Sequence, residues 1–332
     1  MKRVTVVIPN YNGMRYLPQC IAALRHQTVQ DFELLVVENA SQDGSADWLR
    51  AEGVPFLQET ENLGFAGGVN AGIRKVRTPY VILLNNDTEV FPSFVEMLLR
   101  EIERHPRIFS VSALMLRTQD HSAVDDAGDA LSLPGWVWQR GTGEPAARYR
   151  ESCEVFSACG GAAIYRTELL KQLGLFDEAH FAYLEDTDLG WRAKLCGYHN
   201  RYCPAARVLH YGSATSGSKY NAFKVRLASR NHIWLLYKNM PDWQLILNFP
   251  WILAGMLVKA VFFAKKGLLS AWLSGTAEGF RGLGRVSRVD FSRISPAAVL
   301  SVQWEMLIGT FLYLRHLIRR GRRAGATEGT ES

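Results

Sequence analysis

Short β-branched and aliphatic runs alternate with amphipathic stretches through the first third of the chain, and each apolar run ends in a cluster of turn formers. Residues 4–8 (Val-Thr-Val-Val-Ile) stop at Pro9-Asn10-Tyr11-Asn12-Gly13, the composition of a buried strand closed by a turn. A helical stretch follows to about Gln27. A second strand-like run, 32–37, is closed by Glu38-Asn39-Ala40-Ser41-Gln42-Asp43-Gly44-Ser45, and 46–51 begins a helix. The pattern then predicts a strand at 54–57, a Gly/Ala-rich helix at 65–76, a strand at 80–84, a helix over 92–105 with Pro92 in first position, and a fifth strand at 109–114. Such alternation predicts an α/β fold with a Rossmann-like, mostly parallel central sheet flanked by helices. Ligands of those sheets bind beyond the carboxyl ends of the strands, and the polar turns at 9–13, 38–45 and 85–89 all fall at that edge.

Periodicity weakens in the middle of the chain. Residues 115–150 are rich in Gly, Asp and Trp and read as a loop or hairpin insertion able to contact an acceptor. Residues 156–165 read as a strand, Thr167 as the cap of a short helix ending near Gly174, and 185–196 as a helix stopped by Gly197. A core domain over 1–215 results, in two parts that meet at about 115. Beyond it, 216–320 reads as an amphipathic helical extension and 321–332 as a flexible tail.

Within the extension, 221–239 has helical periodicity with Arg226 and Arg230 on one side, and 250–266 is a strongly apolar helix opened by Pro250. Its apolar stretch, 251–264, falls short of the ~20 residues a bilayer span needs, and Lys259 interrupts it. Asn248, Gly255, Lys259 and Lys266 share a narrow sector of the helical wheel, so an interfacial helix is expected. A second apolar segment, 297–318, carries Gln303 and Glu305 and ends in Arg319-Arg320-Gly321-Arg322-Arg323, which also suits a membrane surface. The same patterns suit helices packed on the sheet as core, and the sequence leaves both readings open.

Charge favours the first. Residues 1–218 hold 21 Lys and Arg against 26 Asp and Glu, whereas 219–332 hold 17 against 6. The positive excess lies in a Trp/Leu/Phe-rich segment and not on the folded body, so an anionic lipid surface is the expected partner and nucleic acid is not. Five cysteines without a C-x-x-C pair indicate neither a disulfide framework nor a zinc knuckle, and Cys196, His199, Cys203 and His210 match no standard ligand spacing. The run between Arg3 and Pro9 is too short for a signal-peptide core, which keeps the expected catalytic part in the cytosol.

Three segments carry candidate chemistry. The strand at 80–84 delivers Asn85-Asn86-Asp87 to the sheet edge, where the Asp87 carboxylate could hold a hard divalent cation against phosphate oxygens; a turn or helix-cap aspartate is the plain alternative. Glu185, Asp186 and Asp188 crowd the start of one helix. Glu185, Asp188 and Arg192 share a face and Asp186 points elsewhere, so a carboxylate there could take a hydroxyl proton, although acids at a helix N-terminus are also ordinary. The stretch from Asn62 and Gly64 to Asn70 opens a helix with small residues, which suits close approach of a ligand to backbone N–H groups or, equally, helix-to-sheet packing. His210, ending the apolar 207–209, is a further candidate metal ligand.

In this order the segments resemble the family 2 inverting glycosyltransferases of the GT-A fold, and within them the rhamnosyltransferase-like branch. Val7-Ile8-Pro9-Asn10-Tyr11-Asn12 is similar to the family's first nucleotide loop, and Glu38-Asn39-Ala40-Ser41 to its second. The segment 62–70 is similar to the branch's most recognisable stretch, Asn85-Asn86-Asp87 to the metal motif, Glu185-Asp186-Thr187-Asp188-Leu189 to the motif bearing the base, and His210 to the late histidine. The resemblance implies sugar transfer from a nucleotide diphosphate donor with inversion, Mg2+ or Mn2+ on Asp87 and His210, and Asp186 as base. It further implies Pro9, Asn10, Tyr11, Asn12, Glu38, Asn39, Asn62, Gly64, Asn70 and Asn86 around the donor, with Glu185, Asp188 and Arg192 in support. Two departures stand out: Glu38 occupies a position usually Asp, and Asn85 one that is Asp in some members. The branch suggests dTDP-rhamnose as donor and, with the basic extension, a lipid-linked or glycan acceptor met by a peripheral enzyme on the cytoplasmic face of the inner membrane, in bacterial polysaccharide or cell-wall assembly. A nucleotidyltransferase, or a membrane scaffold without turnover, are the alternatives of other classes. The first would carry a cation in the loop after its first strand, where this chain has none before Arg15.

Overall fold

The apolar runs form strands and the stretches between them helices in the computed structural model, which describes residues 2–212 and 220–328, with side chains to Arg319. The domain boundary expected near 215, and residues 329–332 of the expected tail, lie outside the described residues. The first part of the chain reads β1 (Val4–Asn10), α1 (Leu17–Arg25), β2 (Phe32–Glu38), α2 (Ser45–Ala51), β3 (Phe56–Gln58), α3 (Gly64–Lys75), β4 (Tyr80–Leu84), β5 (Thr88–Val90), α4 (Phe94–Ile102) and β6 (Ile108–Arg117). It continues with β7 (Asp120–Asp126), β8 (Asp129–Leu131), β9 (Val137–Gln139), β10 (Cys153–Val155), β11 (Ala162–Arg166), α5 (Thr167–Gln172), α6 (Glu185–Leu195) and β12 (His199–His210). Four helices follow: α7 (Ala222–Asn239), α8 (Asp242–Lys265), α9 (Leu269–Arg281) and α10 (Pro296–Glu328).

The central sheet is ordered β3-β2-β1-β4-β11-β6-β12-β10, with β7 added on β6 and β5 on β12. Strands β3, β2, β1 and β4 are parallel, β6 and β12 are parallel, and β11 runs opposite between β4 and β6. The ends of β1, β2, β4, β6 and β12 therefore meet at one edge together with the start of β11. Strict alternation buries both faces: Val4, Val6, Ile8, Ile82 and Leu84 join one core, while Val7, Val81 and Leu83 join the other. Gly72 lets α3 lie close on that second face, since a Cβ there would stand 2.5 Å from Val7 and 2.9 Å from Val37.

Some boundaries differ from the sequence pattern. Residues 156–165 are not one strand, because Ser157 is tied to Asp129 and Gly160-Gly161 turns the chain before β11 starts. Pro92 precedes α4 instead of opening it. The largest difference is α8, which runs through Pro250 as a 24-residue helix. Its first half is held by Gln244 and Asn248, both hydrogen bonded to Gln303 of α10 at 2.9 and 2.8 Å, so the proline is carried inside a helix fixed on both sides. By length and composition α8 and residues 296–319 of α10 could each cross a bilayer.

Their contacts say how they sit. A Cβ on Gly309 of α10 would stand 2.0 Å from the Leu131 carbonyl oxygen, and Thr310 Oγ1 accepts from Leu133 N at 2.8 Å. Lys194 pairs with Glu305 at 2.9 Å, and His316 with Glu144 at 3.0 Å. Thus α10 lies along the sheet domain for several turns, while Gly255 of α8 rests on Pro134 and Trp136. The outer faces stay uncovered: Phe249, Trp251, Leu257, Trp304 (62% exposed) and Phe311 (65%) point away from protein. One helix therefore both packs on the core domain and presents an apolar face outward.

The sheet domain and α7 are locked by Asp188, which has no exposure. Arg192 Nε and Nη2 lie 3.0 and 2.8 Å from its Oδ2, Lys238 Nζ 3.0 Å from the same oxygen, and Asn239 Nδ2 donates to Oδ1 at 2.8 Å. Burial opposes the charge on Asp188, but Arg192 and Lys238 outweigh it and hold the carboxyl far below the usual aspartate range. Asp188→Asn should therefore destabilise the protein by about 3 kcal/mol, because buried Arg192 loses its carboxylate partner and Lys238 one of its two. A depressed folded-state pKa contributes stability that is complete above about pH 4 and lost as the pH falls below it. Denaturant melts at pH 7 and at pH 3 should show the wild type losing more than the variant over that interval; equal losses would contradict the assignment.

Candidate active site

The edge where the strands end is lined with short polar side chains that bond one another. Asn10, ending β1, donates to Glu38 Oε2 at 2.6 Å and accepts from Asn86 Nδ2 at 2.7 Å. Glu38, ending β2 and without exposure, also accepts from Ser45 Oγ and Ser41 N, each at 2.9 Å. Its carboxylate is thus used to fix the loop 41–45 and does not reach the surface. Pro9 adjoins this wall, Asn12 takes a positive φ and accepts from Gln42 N at 2.9 Å, and Tyr11 is left exposed. The tight turn needs Gly13, since a Cβ there would stand 1.9 Å from Asn86 Nδ2.

Asn39 ties this loop to the start of α3. It accepts from Leu63 N at 2.9 Å and donates to Asn62 Oδ1 and Gly64 O, both at 3.0 Å. Gly64 has φ +72°, and a Cβ on it would meet the Phe181 carbonyl oxygen at 2.4 Å. Protein, then, makes the close approach at this glycine. Asn70 is buried and engaged elsewhere, donating to Phe176 O and Glu178 Oε1 at 2.8 and 2.9 Å.

Asn85-Asn86-Asp87 follows β4, and Asp87 Oδ1 lies 3.5 Å from His210 Nε2 at the end of β12. His210 Nδ1 lies 2.7 Å from Asp125 Oδ2. Burial disfavours a charged imidazole here, but the hydrogen bonds and charges of Asp125 and Asp87 prevail and raise His210 to about 10. A carboxylate that holds Nδ1 leaves Nε2 directed toward Asp87, the arrangement that prepares a histidine to ligate a metal. One carboxylate oxygen and one imidazole nitrogen fit a hard divalent cation that takes its other ligands from phosphate and water. Among the described residues no larger group of metal-binding side chains gathers. His199 stands at the far end of β12 from His210, so the two do not converge.

Across Gly160-Gly161 sits the acidic start of α6. Asn85 N donates to Gly161 O at 2.8 Å on one side, and Gly160 N donates to Asp186 Oδ2 at 3.0 Å on the other. Asp186 is half-buried. Burial raises its pKa, while the N–H groups of Gly160 and Thr187 oppose the shift. Glu185 is pushed well above the carboxylate range by burial and by the charge of Asp186, and its Oε2 has no hydrogen-bond partner among the described residues. Asp188 and Arg192 are consumed by the lock on α7, and Arg192 also donates to the carbonyls of Leu173 and Leu175. The three acids of the helix start thus divide into a partly open one, a buried one kept toward its neutral form, and a structural one.

Two residues that the sequence pattern left unmarked complete the edge. Asp125-Asp126 ends β7; Asp125 orients His210, and Asp126, fully buried, has its Oδ1 on Gly128 N at 2.6 Å and its Oδ2 unpartnered among the described residues. Burial, with the charges of Asp125 and Asp186, pushes Asp126 up to about 7. Asp129, on Ser157 at 3.0 Å, is also raised by burial and by Asp126. The signal in the sequence was the run Asp125-Asp126-Ala127-Gly128-Asp129, adjacent carboxylates that repel unless a site uses them. It lay in the stretch without periodicity.

Comparison with known proteins follows the same lines. The family described as Glycosyl transferase family 2 matches residues 5–174. The chain is similar to the N-acetylglucosaminyl-diphospho-decaprenol L-rhamnosyltransferase of Mycobacterium tuberculosis, 28% identical over 277 residues that cover 76% of this chain and 89% of that one. Among solved structures it is similar to S. aureus TarS 1-349 in complex with UDP-GlcNAc, with TM-score 0.59 and 15% identity over 93% of this chain and 89% of the other. It is also similar to the mannosyltransferase PcManGT from Pyrobaculum calidifontis in complex with GDP-Man and Mn2+, with TM-score 0.52 and 18% identity over 93% and 86%. At these identities the structures speak for the fold, which is GT-A. The family match takes in the ends of β1, β2, β4 and β6 and stops before α6 and β12, and the chain belongs to glycosyl transferase family 2 and is a glycosyltransferase.

Proposed function

We propose that this glycosyltransferase moves rhamnose from dTDP-rhamnose to a lipid-linked glycan acceptor, with inversion at the anomeric carbon, on the cytoplasmic face of the inner membrane in bacterial polysaccharide or cell-wall assembly. The observation that carries the reading is the juxtaposition across Gly160-Gly161 of the Asp87–His210 pair with Asp186. The acceptor oxygen bonds to the anomeric carbon as the bond from that carbon to the donor phosphate breaks. Asp186 takes the hydroxyl proton, and the nucleoside diphosphate leaves with the electron pair. Two backbone N–H groups on Asp186 keep it more ionised than Glu185, which suits a base beside a neutral neighbour. Asp87 and His210 would hold Mg2+ or Mn2+, which supplies positive charge to the departing diphosphate. Asn10, Asn12, Tyr11 and Asn86 line the expected donor side, with Glu38 and Asn39 fixing them and Asn62, Gly64 and Asn70 fixing the wall behind. The rhamnose and lipid-linked acceptor assignments are supported by the mycobacterial relative's activity.

The outer faces of α8 and α10 support membrane association. Because α10 is bonded to the sheet domain at Leu131, Leu133, Glu144 and Lys194, it could not cross a bilayer without drawing that domain in. Both helices lie in the membrane surface, apolar face down, beside basic residues that attract anionic headgroups.

A panel of nucleotide sugars with Mg2+ or Mn2+, read by released nucleoside diphosphate, tests the donor; dTDP-rhamnose should stand out, and turnover with another sugar alone would replace it. Asp186→Asn should leave nucleotide affinity near normal and lower transfer at least about 100-fold, whereas retained turnover removes Asp186 as base. Asp125→Asn should weaken Mn2+-dependent nucleotide binding about 10-fold through His210; unchanged affinity would contradict the orienting role. Replacing Trp251 and Phe311 by Glu should release the protein from anionic vesicles with its fold intact by circular dichroism, and undiminished co-sedimentation would disprove the docking face.

A further inference from the structure

The loop that delivers Glu185-Asp186 is bent in an uncommon way. Phe181, Tyr183 and Leu184 have φ of 63, 73 and 70°, in the left-handed region that large side chains disfavour. Such a run persists only where its surroundings over-determine it. Here one side chain of α7 reaches three carbonyls of the turn. Asn231, without exposure, has Nδ2 at 3.0, 2.9 and 2.8 Å from the carbonyl oxygens of His180, Ala182 and Tyr183, so two amide hydrogens serve three acceptors. Its Oδ1 accepts from Arg230 Nε at 3.0 Å, and Arg230 Nη2 donates to Ala179 O and His180 O at 3.1 and 2.9 Å. The Arg230 guanidinium is itself seated 4.4 Å from the Trp234 ring centre. From the opposite side Ala66 N donates to Phe181 O at 3.1 Å.

We propose that Asn231, backed by Arg230, is a positioning residue for transfer: by holding the carbonyls of the 179–183 turn it sets Asp186 opposite the Asp87–His210 pair. The proposal rests on reading Asp186 as the base. It separates from general stability because α6 is anchored independently through Asp188 to Arg192, Lys238 and Asn239. The α7 helix is likewise held by α9, through Gly275 on the Arg226 carbonyl and Trp234 Nε1 on Gly279 O at 2.9 Å. Loss of the Asn231 amide thus loosens the turn and the Glu185-Asp186 start of α6 that follows it, while α7 and the body of α6 from Asp188 on stay in place. Asn231 also lies outside the matched family segment, 5–174, so the C-terminal extension would complete the active site as well as meet the membrane.

The test uses the full chain with Asn231→Ser, which removes the amide, and Asn231→Asp, which turns oxygen toward the three carbonyls. With the donor selected by the nucleotide-sugar panel, kcat should fall about 100-fold, the loss expected for a misplaced catalytic group, while affinity for dTDP with Mn2+ stays within about twofold. Amide hydrogen exchange over 181–186 should speed at least tenfold, with β1 and β4 still protected. Unaltered exchange over 181–186, or kcat within about threefold of wild type, would overturn the proposal, as would a joint loss of kcat, nucleotide affinity and sheet protection in both variants. If Asp186→Asn keeps its turnover, the base assignment fails instead, and the exchange experiment still decides whether Asn231 fixes the turn.

Discussion

A carboxylate with no exposure is held between two cations and an amide at the junction of α6 and α7, and the geometry of the catalytic edge hangs from it. Asp188 could not stay charged in that place without Arg192 and Lys238, and among the described residues Arg192 has no other carboxylate beside it while Lys238 shares Asp188 with Asp177. The two cations also reach outward: Arg192 to the carbonyls of Leu173 and Leu175, and Lys238 to Asp177 at 2.6 Å. One buried ion cluster therefore fixes α6 from Asp188 on, the segment 173–177 and the helix behind it. Asp186 stands two positions before that anchor.

On that frame the site divides its charges. On one side Asp87 and Asp125 flank His210, order its ring and favour its protonated form, and in the proposed role a divalent cation would take the place of that proton. On the other, Glu185, Asp126 and Asp129 are pushed toward neutrality by burial and by one another, which leaves the hydrogen-bonded Asp186 as the least suppressed acid beside them. The wall between is glycine, at 160 and 161, where a side chain would strike Phe65 or Asn85.

The sheet and its edge were legible because burial on two faces enforces continuous apolar runs and because turns demand particular residues. Pro9-Asn10-Tyr11-Asn12-Gly13 and Asn85-Asn86-Asp87 stand where the pattern put them. Less legible were features set by distant partners. Asp125-Asp126 gained meaning only from His210, 85 positions away in sequence for Asp125. Asn70 and the glycines after Asn62 suited a ligand loop or packing alike, and what lies against them in the fold is Phe181 at Gly64, Leu63 at Gly67, and Phe176 with Glu178 at Asn70. Pro250 read as a helix start because local rules say so, and Gln303 on another helix overrode them. The Asp188 charge was visible as one of three acids, but its separate role depends on Lys238 and Asn239, which no local pattern links to it.

The crossing of α10 over β8 at Gly309 has a mechanical consequence. With a backbone carbonyl where a side chain would be, and with bonds at Thr310, Glu305 and His316 on either side, the joint has no slack and no hinge. A catalytic domain on a flexible tether can search a range of heights above the surface that holds its tether. This one is bolted to the helix that bears the apolar face, so the distance from that face to Asp186 is a constant of the fold, and under the proposed function an acceptor would have to present its hydroxyl at that height.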